Sequence, residues 1–432
     1  MPPREGAHML EYLRYILSNP RLLTFGFLLT LGSSFGQTYF IALFSDELRA
    51  AFDLGHGAFG SVYSLATLTS AGLVLLVGHL IDRIDLRLYS ALVCALMIAA
   101  AVFMWQLPTG SIAYLYVAFL LLRFGGQGLL SHTGLTAVAR YAATGRGKAV
   151  ALAALGYSFG EATLPLAIIA LAAMFEWQTI WGFVALALAV VLLPLSQLML
   201  RGHVARHTAL MAQIDGMASA SNEQQFTRGQ VLRDGFFWLL LPAVLAPHFI
   251  NTGIFFNQRT IVSEMGWDMR LFALGFTAYA IVTVISALAS GPLIDRLGAR
   301  RVYPYVLLPL GAAMIILGIF HASAVAILFM GLAGMSAGVH HTATSALWAE
   351  IYGVRHLGGI KAMAASLIVF STALSPALMG WLIDASLSMA TISLLCSFWV
   401  VVATLLVLQA VRRPGRLTDR DGGGTGPDTV RR

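Results

Sequence analysis

The sequence predicts an all-α membrane protein whose twelve transmembrane helices form two six-helix bundles related by pseudo-symmetry. Three observations carry this expectation. The composition is too apolar and too poor in charge for a water-soluble domain. Apolar runs of membrane-crossing length recur along the chain. A charged nine-residue signature occurs twice, 213 positions apart, each time at the end of an apolar run.

Of the 432 residues, 58% are hydrophobic and 11% charged, with a mean hydropathy of +0.79. Soluble domains carry roughly 25% charged residues, so lipid must be the solvent for much of this chain. Twelve apolar stretches lie at about 22–44, 58–81, 88–107, 112–139, 148–174, 179–200, 236–258, 269–293, 302–320, 324–351, 358–384 and 388–411. Each is long enough to cross roughly 30 Å of hydrocarbon. None shows the period-two alternation of barrel strands, which makes them helices.

Basic residues orient these spans. Of 27 Lys and Arg, 23 fall in the N-terminus, the even-numbered connections and the C-terminus. Arg49, Arg259 and Arg270 fall on the other side and Arg123 within a span. That bias puts both termini in the cytoplasm of a multi-pass chain integral to the cell (inner) membrane. The net charge of +7 is therefore a topology signal scattered over short connections; it is not a nucleic-acid footprint. The N-terminus has no cleavable signal pattern, so span one acts as its own insertion signal. Cys94 and Cys396 lie inside spans three and twelve and read as packing residues.

The signatures are Gly78-His79-Leu80-Ile81-Asp82-Arg83-Ile84-Asp85-Leu86, followed by Arg87, and Gly291-Pro292-Leu293-Ile294-Asp295-Arg296-Leu297-Gly298-Ala299, followed by Arg300 and Arg301. Other correspondences run at nearly the same offset. Phe35-Gly36-Gln37-Thr38 answers Phe249-Ile250-Asn251-Thr252, and Gly128, Arg140 and Pro165 answer Gly338, Glu350 and Pro376. The chain thus divides into an N-terminal six-helix bundle (1–200), a polar cytoplasmic linker (201–235), a C-terminal six-helix bundle (236–412) and a Gly-, Asp-, Arg- and Pro-rich disordered tail (413–432). Duplicated halves of this kind are the architecture of large secondary transporters.

The repeated G-x-L-I-D-R with a basic residue four positions on resembles the best-known motif of the major facilitator superfamily, and the resemblance covers spans one to twelve. One departure is Asp85, where the first motif usually has Gly; the second copy keeps Gly298. The resemblance implies the superfamily's twelve-helix fold, an alternating-access transporter, and a central path lined by spans one, four, seven and ten. A membrane-embedded enzyme would need a nucleophile–base or metal constellation, and none stands at convincing spacing; no cofactor is expected. Asp82 and Asp295 sit where a carboxylate can cap a neighbouring helix N-terminus and pair with an arginine. Gly78, Asp82, Arg83 and Arg87, with Gly291, Asp295, Arg296 and Arg300, are the expected gate. The plainer alternative is a solvated positive turn.

Ionisable side chains in hydrocarbon are costly and usually functional. Arg123 in span four and Glu161 in span five lie near mid-membrane. Opposite charges at one depth predict a pair. Either Glu161 binds the coupling proton while Arg123 holds it or the substrate, or the two form a static link between helices. Polar residues also line one face of several spans: Arg123, Gln127 and Ser131 in span four; His248, Asn251, Thr252 and Phe255 in span seven; His341, Thr344, Ser345 and Trp348 in span ten. Span one contributes Ser33, Ser34, Gln37 and Thr38. From these, Arg123, Gln127, Gln37, His248, Asn251, His341 and Trp348 are the expected substrate-binding residues, and Glu161 and His340 the expected proton-coupling residues, since histidine titrates near neutrality. His132 faces roughly away from Arg123 and fits better as a backbone hydrogen-bonding residue. No helical His-x3-His or carboxylate-rich pattern supports a metal site. Glycines in spans four, five and ten allow close helix approach, and Pro165 and Pro376 predict kinks at matched positions.

Gly145-Arg146-Gly147-Lys148-Ala149 lacks the spacing and the Ser/Thr of a phosphate-binding loop. An ion or solute gradient must therefore drive transport. Gly-Tyr-Ser-Phe-Gly-Glu at 156–161, the Gly-rich fourth span and Ser375-Pro376 resemble the branch of monocarboxylate carriers and oxalate/formate antiporters. That resemblance implies a carrier of a small organic anion; the chain is expected to be a monomer, with Glu161 its expected coupling site for protons. Efflux of a drug-like amphipathic compound by proton antiport is the alternative. A non-transporting membrane sensor is more remote, since the linker and tail are too short for a signalling domain.

Overall fold

The computed structural model describes residues 15–142, 145–202, 231–352 and 357–412. The tail 413–432 and most of the linker 201–235 lie outside the described residues. Among the described residues no strand occurs, and eleven helices are long and apolar enough to cross a membrane, or twelve when a bent pair in span one is joined. Helix is what hydrocarbon dictates, because a helix satisfies its backbone donors and acceptors within one segment.

Spans two to six run His56–Val77, Leu86–Trp105, Ile112–Tyr141, Arg146–Ala172 and Trp177–Met199. Spans seven to twelve run Gly235–Phe256, Met269–Leu297, Ala299–Ile319, Val325–Tyr352, Leu357–Asp384 and Met389–Arg412. Within the first half, span one packs on spans four and five, and span three on span six; within the second, span eight packs on ten and span nine on twelve. The halves meet along two seams, span two against eleven and span five against eight. The helices continue through Pro165 and Pro376.

Spans six and nine carry short irregular turns, at Leu188–Leu192 and Tyr303–Tyr305, and spans one and four depart further from the simple helices expected. Span one divides into Pro20–Gly36 and Thr38–Phe52, bent by 44°. Span four contains a π-helical stretch, Arg123–Leu130, between Ile112–Leu122 and Ser131–Tyr141. The two irregularities touch. A Cβ built on Gly36 would lie 2.7 Å from the Cα of Gly126, and one on Gly126 would lie 2.6 Å from the Cα of Gly36. Only a pair of glycines lets these backbones approach so closely, and the approach sets the break of span one into the bulge of span four.

Helix ends are closed by carboxylates. Asp85, Asp234 and Asp268 cap the helices that follow them. Other caps act across the fold: Glu264 accepts from the Met389 amide at 2.7 Å, and Asp384 from the His56 and Gly57 amides at 3.0 and 2.8 Å. Each anion faces the partial positive charge of a helix N-terminus.

Replacing Gly126 by Ala should force the two backbones apart and cost about 1–3 kcal/mol. Gly72→Ala, where a Cβ meets nothing within 4 Å, is the control. Thermal unfolding of the detergent-solubilised proteins checks the pair: Gly126→Ala should melt lower, Gly72→Ala with the wild type.

Candidate functional site

The break in span one exposes backbone groups in the membrane interior, and Arg123 meets them. Its Nη1 donates to the Gly36 carbonyl at 3.1 Å and to Thr38 Oγ1 at 3.4 Å. The guanidinium lies 5.3 Å from the centre of the Tyr63 ring, and the Tyr63 hydroxyl donates to Thr38 at 2.9 Å. Arg123 is 2% exposed. No ion pair joins it to Glu161 among the described residues, so the expected pairing is corrected here. The physical reason is local: a carbonyl freed by the break competes for the cation and is closer to it. Gln37 and Gln127 flank this contact, both half-buried, with no side-chain hydrogen bond among the described residues.

Glu161 lies mid-way along Arg146–Ala172. It makes no hydrogen bond or ion pair among the described residues, is half-buried, and keeps solvent access at its oxygens. Tyr39, Tyr157 and Tyr279 stand near enough to feel its charge. Tyr157 is hydrogen-bonded to Ser131 of span four, and Tyr279 neighbours Asn251 of span seven. Tyrosines from both halves thus stand around a carboxylate that has no protein partner among the described residues.

On the other wall, His248 packs edge-on against His340 and His341, with ring centres 5.4 and 6.0 Å apart. His340 is 2% exposed and reaches Thr344 Oγ1, which donates to the Tyr303 hydroxyl. His341 is exposed although it sits deep in span ten, as expected of a residue facing a water-filled space. Trp348 is placed otherwise than its helical face suggested. It is buried within the second half, between Phe237 at 5.7 Å and Tyr352 at 6.0 Å, and does not line that space. Among the described residues no His, Cys, Asp or Glu group is arranged to hold a metal ion.

The halves are sealed together on the side opposite the termini. Among the described residues, every hydrogen bond, ion pair and ring contact that joins them lies from mid-membrane to that face. Arg259 clamps Asp46 at 2.9 Å and Glu47 at 3.0 Å. Gln258 Nε2 donates to the Tyr39 carbonyl at 2.8 Å, and Trp381 Nε1 to Ser61 at 3.0 Å. Phe256 packs on Phe59 and Tyr63, and Tyr39 on Phe276. The innermost bond is Thr277 Oγ1 to the Ala162 carbonyl at 2.7 Å. The seal therefore starts one residue beyond Glu161. The sequence draws attention to none of Tyr39, Tyr279, Gln258 or Asp384, and to Arg259 only as one of three basic residues on that side.

The family model described as Major Facilitator Superfamily matches residues 26–275 and 248–429. The chain belongs to the major facilitator superfamily. It is a transporter of that fold, integral to a membrane, and not an enzyme. No curated protein matches its sequence. Among solved structures, a bacterial homologue of the human lysosomal transporter Spinster, inward-facing and occupied, is 14% identical, with a TM-score of 0.64 over 95% of this chain and 98% of that one. A nucleoside transporter, NupG, is 12% identical, with a TM-score of 0.67 over 92% of this chain and 99% of that one. At these identities the likeness shows the fold.

The superfamily signatures form two different turns. In the first, Gly78–Asp82 is a 3-10 turn, and Asp85 accepts from the Arg87 and Leu88 amides at 2.9 and 3.3 Å. Arg140 Nη1 donates to the Ile81 carbonyl and His132 Nε2 bonds the Gly78 carbonyl at 3.2 Å. In the second, Gly298 takes φ +84° and ψ 144°, and Glu350 accepts from the Ala299 amide at 2.7 Å. Arg300 lies over the Phe236 ring and donates to the Val411 carbonyl. The cap expected of Asp295 is thus made by Glu350, and Asp85 closes the helix that follows the first turn. Asp295 is exposed and caps nothing; the side chain of Asp82 lies outside the described residues. Arg83, Arg87 and Arg296 are exposed, with no ion pair among the described residues, and a Cβ on Gly291 would meet nothing within 4 Å. Asp85 fits its position because its φ of −52° needs no glycine and its carboxylate closes a helix end.

The two turns should respond unequally to exchange of their residues. Gly298→Asp should cost about 1–3 kcal/mol, since that backbone region is open almost only to glycine. Asp85→Gly should cost a few tenths of a kcal/mol. Thermal unfolding of both variants in detergent checks the order.

Proposed function

We propose that the chain is a secondary active transporter that carries an amphipathic organic solute by alternating access and exchanges a proton at Glu161. One observation carries this reading. A carboxylate without a protein partner among the described residues stands at the floor of the space between the halves, immediately inside the seal. There it alternates between a proton and a bound solute as the seal passes from one side of it to the other.

The positive-inside bias supports a cytoplasmic terminus-bearing face of an inner-membrane protein, and the seal on the opposite face then makes this conformation inward-open. The unpaired Asp295 and the exposed arginines of the signatures fit an opened gate, whose pairs would form when the cytoplasmic face closes. The two halves, 1–200 and 236–412, are on this reading the rocking units.

Substrate chemistry follows from which charges are free. Arg123 is engaged by Gly36 and Thr38, so it offers no cation to a carboxylate substrate in this state. Glu161 and the rings of Tyr39, Tyr157 and Tyr279 instead suit an organic cation or a neutral amphipath. This favours the proton-antiport alternative over the small anion expected from the branch resemblance. The anion reading would need protonated His248, His340 and His341 to supply the positive field.

Glu161→Gln should insert and fold but lose pH-gradient-driven accumulation in proteoliposomes, while exchange between pre-loaded liposomes persists. Labelled lipophilic amine and labelled monocarboxylate are tried in parallel. Accumulation against a gradient by Glu161→Gln would remove Glu161 from coupling. Transport of the monocarboxylate alone would restore the anion reading.

A further inference from the structure

Arg123 is fully committed inside the protein, which raises the question of what it does there. The two pieces of span one have unequal tasks. Pro20–Gly36 packs within its own half, on spans four and five. Thr38–Phe52 supplies much of that half's share of the seal. Its Tyr39 carbonyl takes the Gln258 amide, the Tyr39 ring meets Phe276, and Asp46 and Glu47 take Arg259. The hinge between them is Gln37, with extended backbone at φ −81° and ψ 152°.

Arg123 spans this hinge. One guanidinium nitrogen bonds the last carbonyl before it, Gly36, and the first side chain after it, Thr38. Thr38 also takes the Tyr63 hydroxyl, and the Tyr63 ring packs on Phe256 of the other half with centres 4.7 Å apart. Arg123 Nε, buried, has no hydrogen-bond partner among the described residues. Gln258, wholly buried, completes the chain from Arg123 through the hinge to the second half.

We infer that Arg123 is a positioning residue: it fixes the bend of span one that presents Thr38–Phe52 to the second half, and drawing the guanidinium away from Gly36 and Thr38 unseals the face opposite the termini. The inference rests on the alternating-access reading above. It assigns Arg123 to coupling between the cavity and the seal instead of to permanent contact with substrate. A hydrogen bond to a charged group is worth more than a neutral one, and a carbonyl stranded in the membrane interior is costly. Loss of the bridge therefore bears on the shape of span one before it bears on binding.

The test needs no substrate. Spin labels on Ala50→Cys and Ser263→Cys, exposed positions of the two halves on the sealed face, report the distance across it in full-length protein in nanodiscs. Wild type should show a single short distance. Arg123→Gln should raise the ratio of long to short distances about tenfold or more, the effect of one lost hydrogen bond to a charged group. Arg123→Lys, which keeps the charge but cannot bridge both groups, should fall between. Gln258→Ala, which cuts the last link, should open the same face. If Arg123→Gln leaves the distances unchanged while Gln258→Ala opens the face, the positioning role is refuted and the transport reading stands. If neither opens it, the seal is held by its other contacts, and the positioning role is refuted while the transport reading stands. Should Arg123→Gln not fold, Thr38→Val decides: partial opening supports the role and an unchanged distance rejects it.

Discussion

Inside hydrocarbon a backbone carbonyl has no water to accept from, and the irregular parts of this fold follow from that requirement. Span one cannot break at Gly36 unless something answers the freed carbonyl. Arg123 answers it, at the start of a π-helical bulge that brings Gly126 against Gly36. Break, bulge, glycine pair and arginine are one arrangement, and each would be unfavourable without the others. The segment displaced by the break is the one that reaches across to Gln258 and Arg259.

The same requirement at the membrane surfaces explains the carboxylates. Asp85, Asp234, Asp268, Glu264, Glu350 and Asp384 all accept from amides at helix N-termini. Asp384 differs in consequence, because its helix end belongs to the other half. Its bond to His56 and Gly57 exists only while the halves are closed together on that face, as does the Arg259 clamp. A cap within one half stabilises the fold; a cap between halves stabilises a conformation.

Duplication has left the halves similar in backbone and unlike in chemistry. Arg140 and Glu350 occupy matched positions, yet one donates to a carbonyl of its signature turn and the other accepts from an amide. Asp85 and Gly298 are matched too, with φ of −52° and +84°. The ionisable groups named for the site are likewise divided, Arg123 and Glu161 in the first half and the three histidines in the second.

Composition, hydropathy and the repeated signature were enough to determine the class, the number of spans, their boundaries to within a few residues and the superfamily, because lipid imposes a length and an apolar character that one dimension records. Depth in the membrane was legible for the same reason, and it singled out Arg123 and Glu161. Partnership was not. Whether Arg123 meets Glu161 or a carbonyl depends on a break at Gly36 and a bulge at Arg123–Leu130, and helical periodicity assumes neither. Trp348 shares a sequence face with His341 but is turned into the bundle by packing on Phe237 and Tyr352. Tyr39, Tyr279, Gln258, Arg259 and Asp384 become neighbours of the site or the seal only when the halves close, so their roles were decided by tertiary structure. Contacts between residues some 200 or more positions apart leave no local pattern, and the fold alone brings them together.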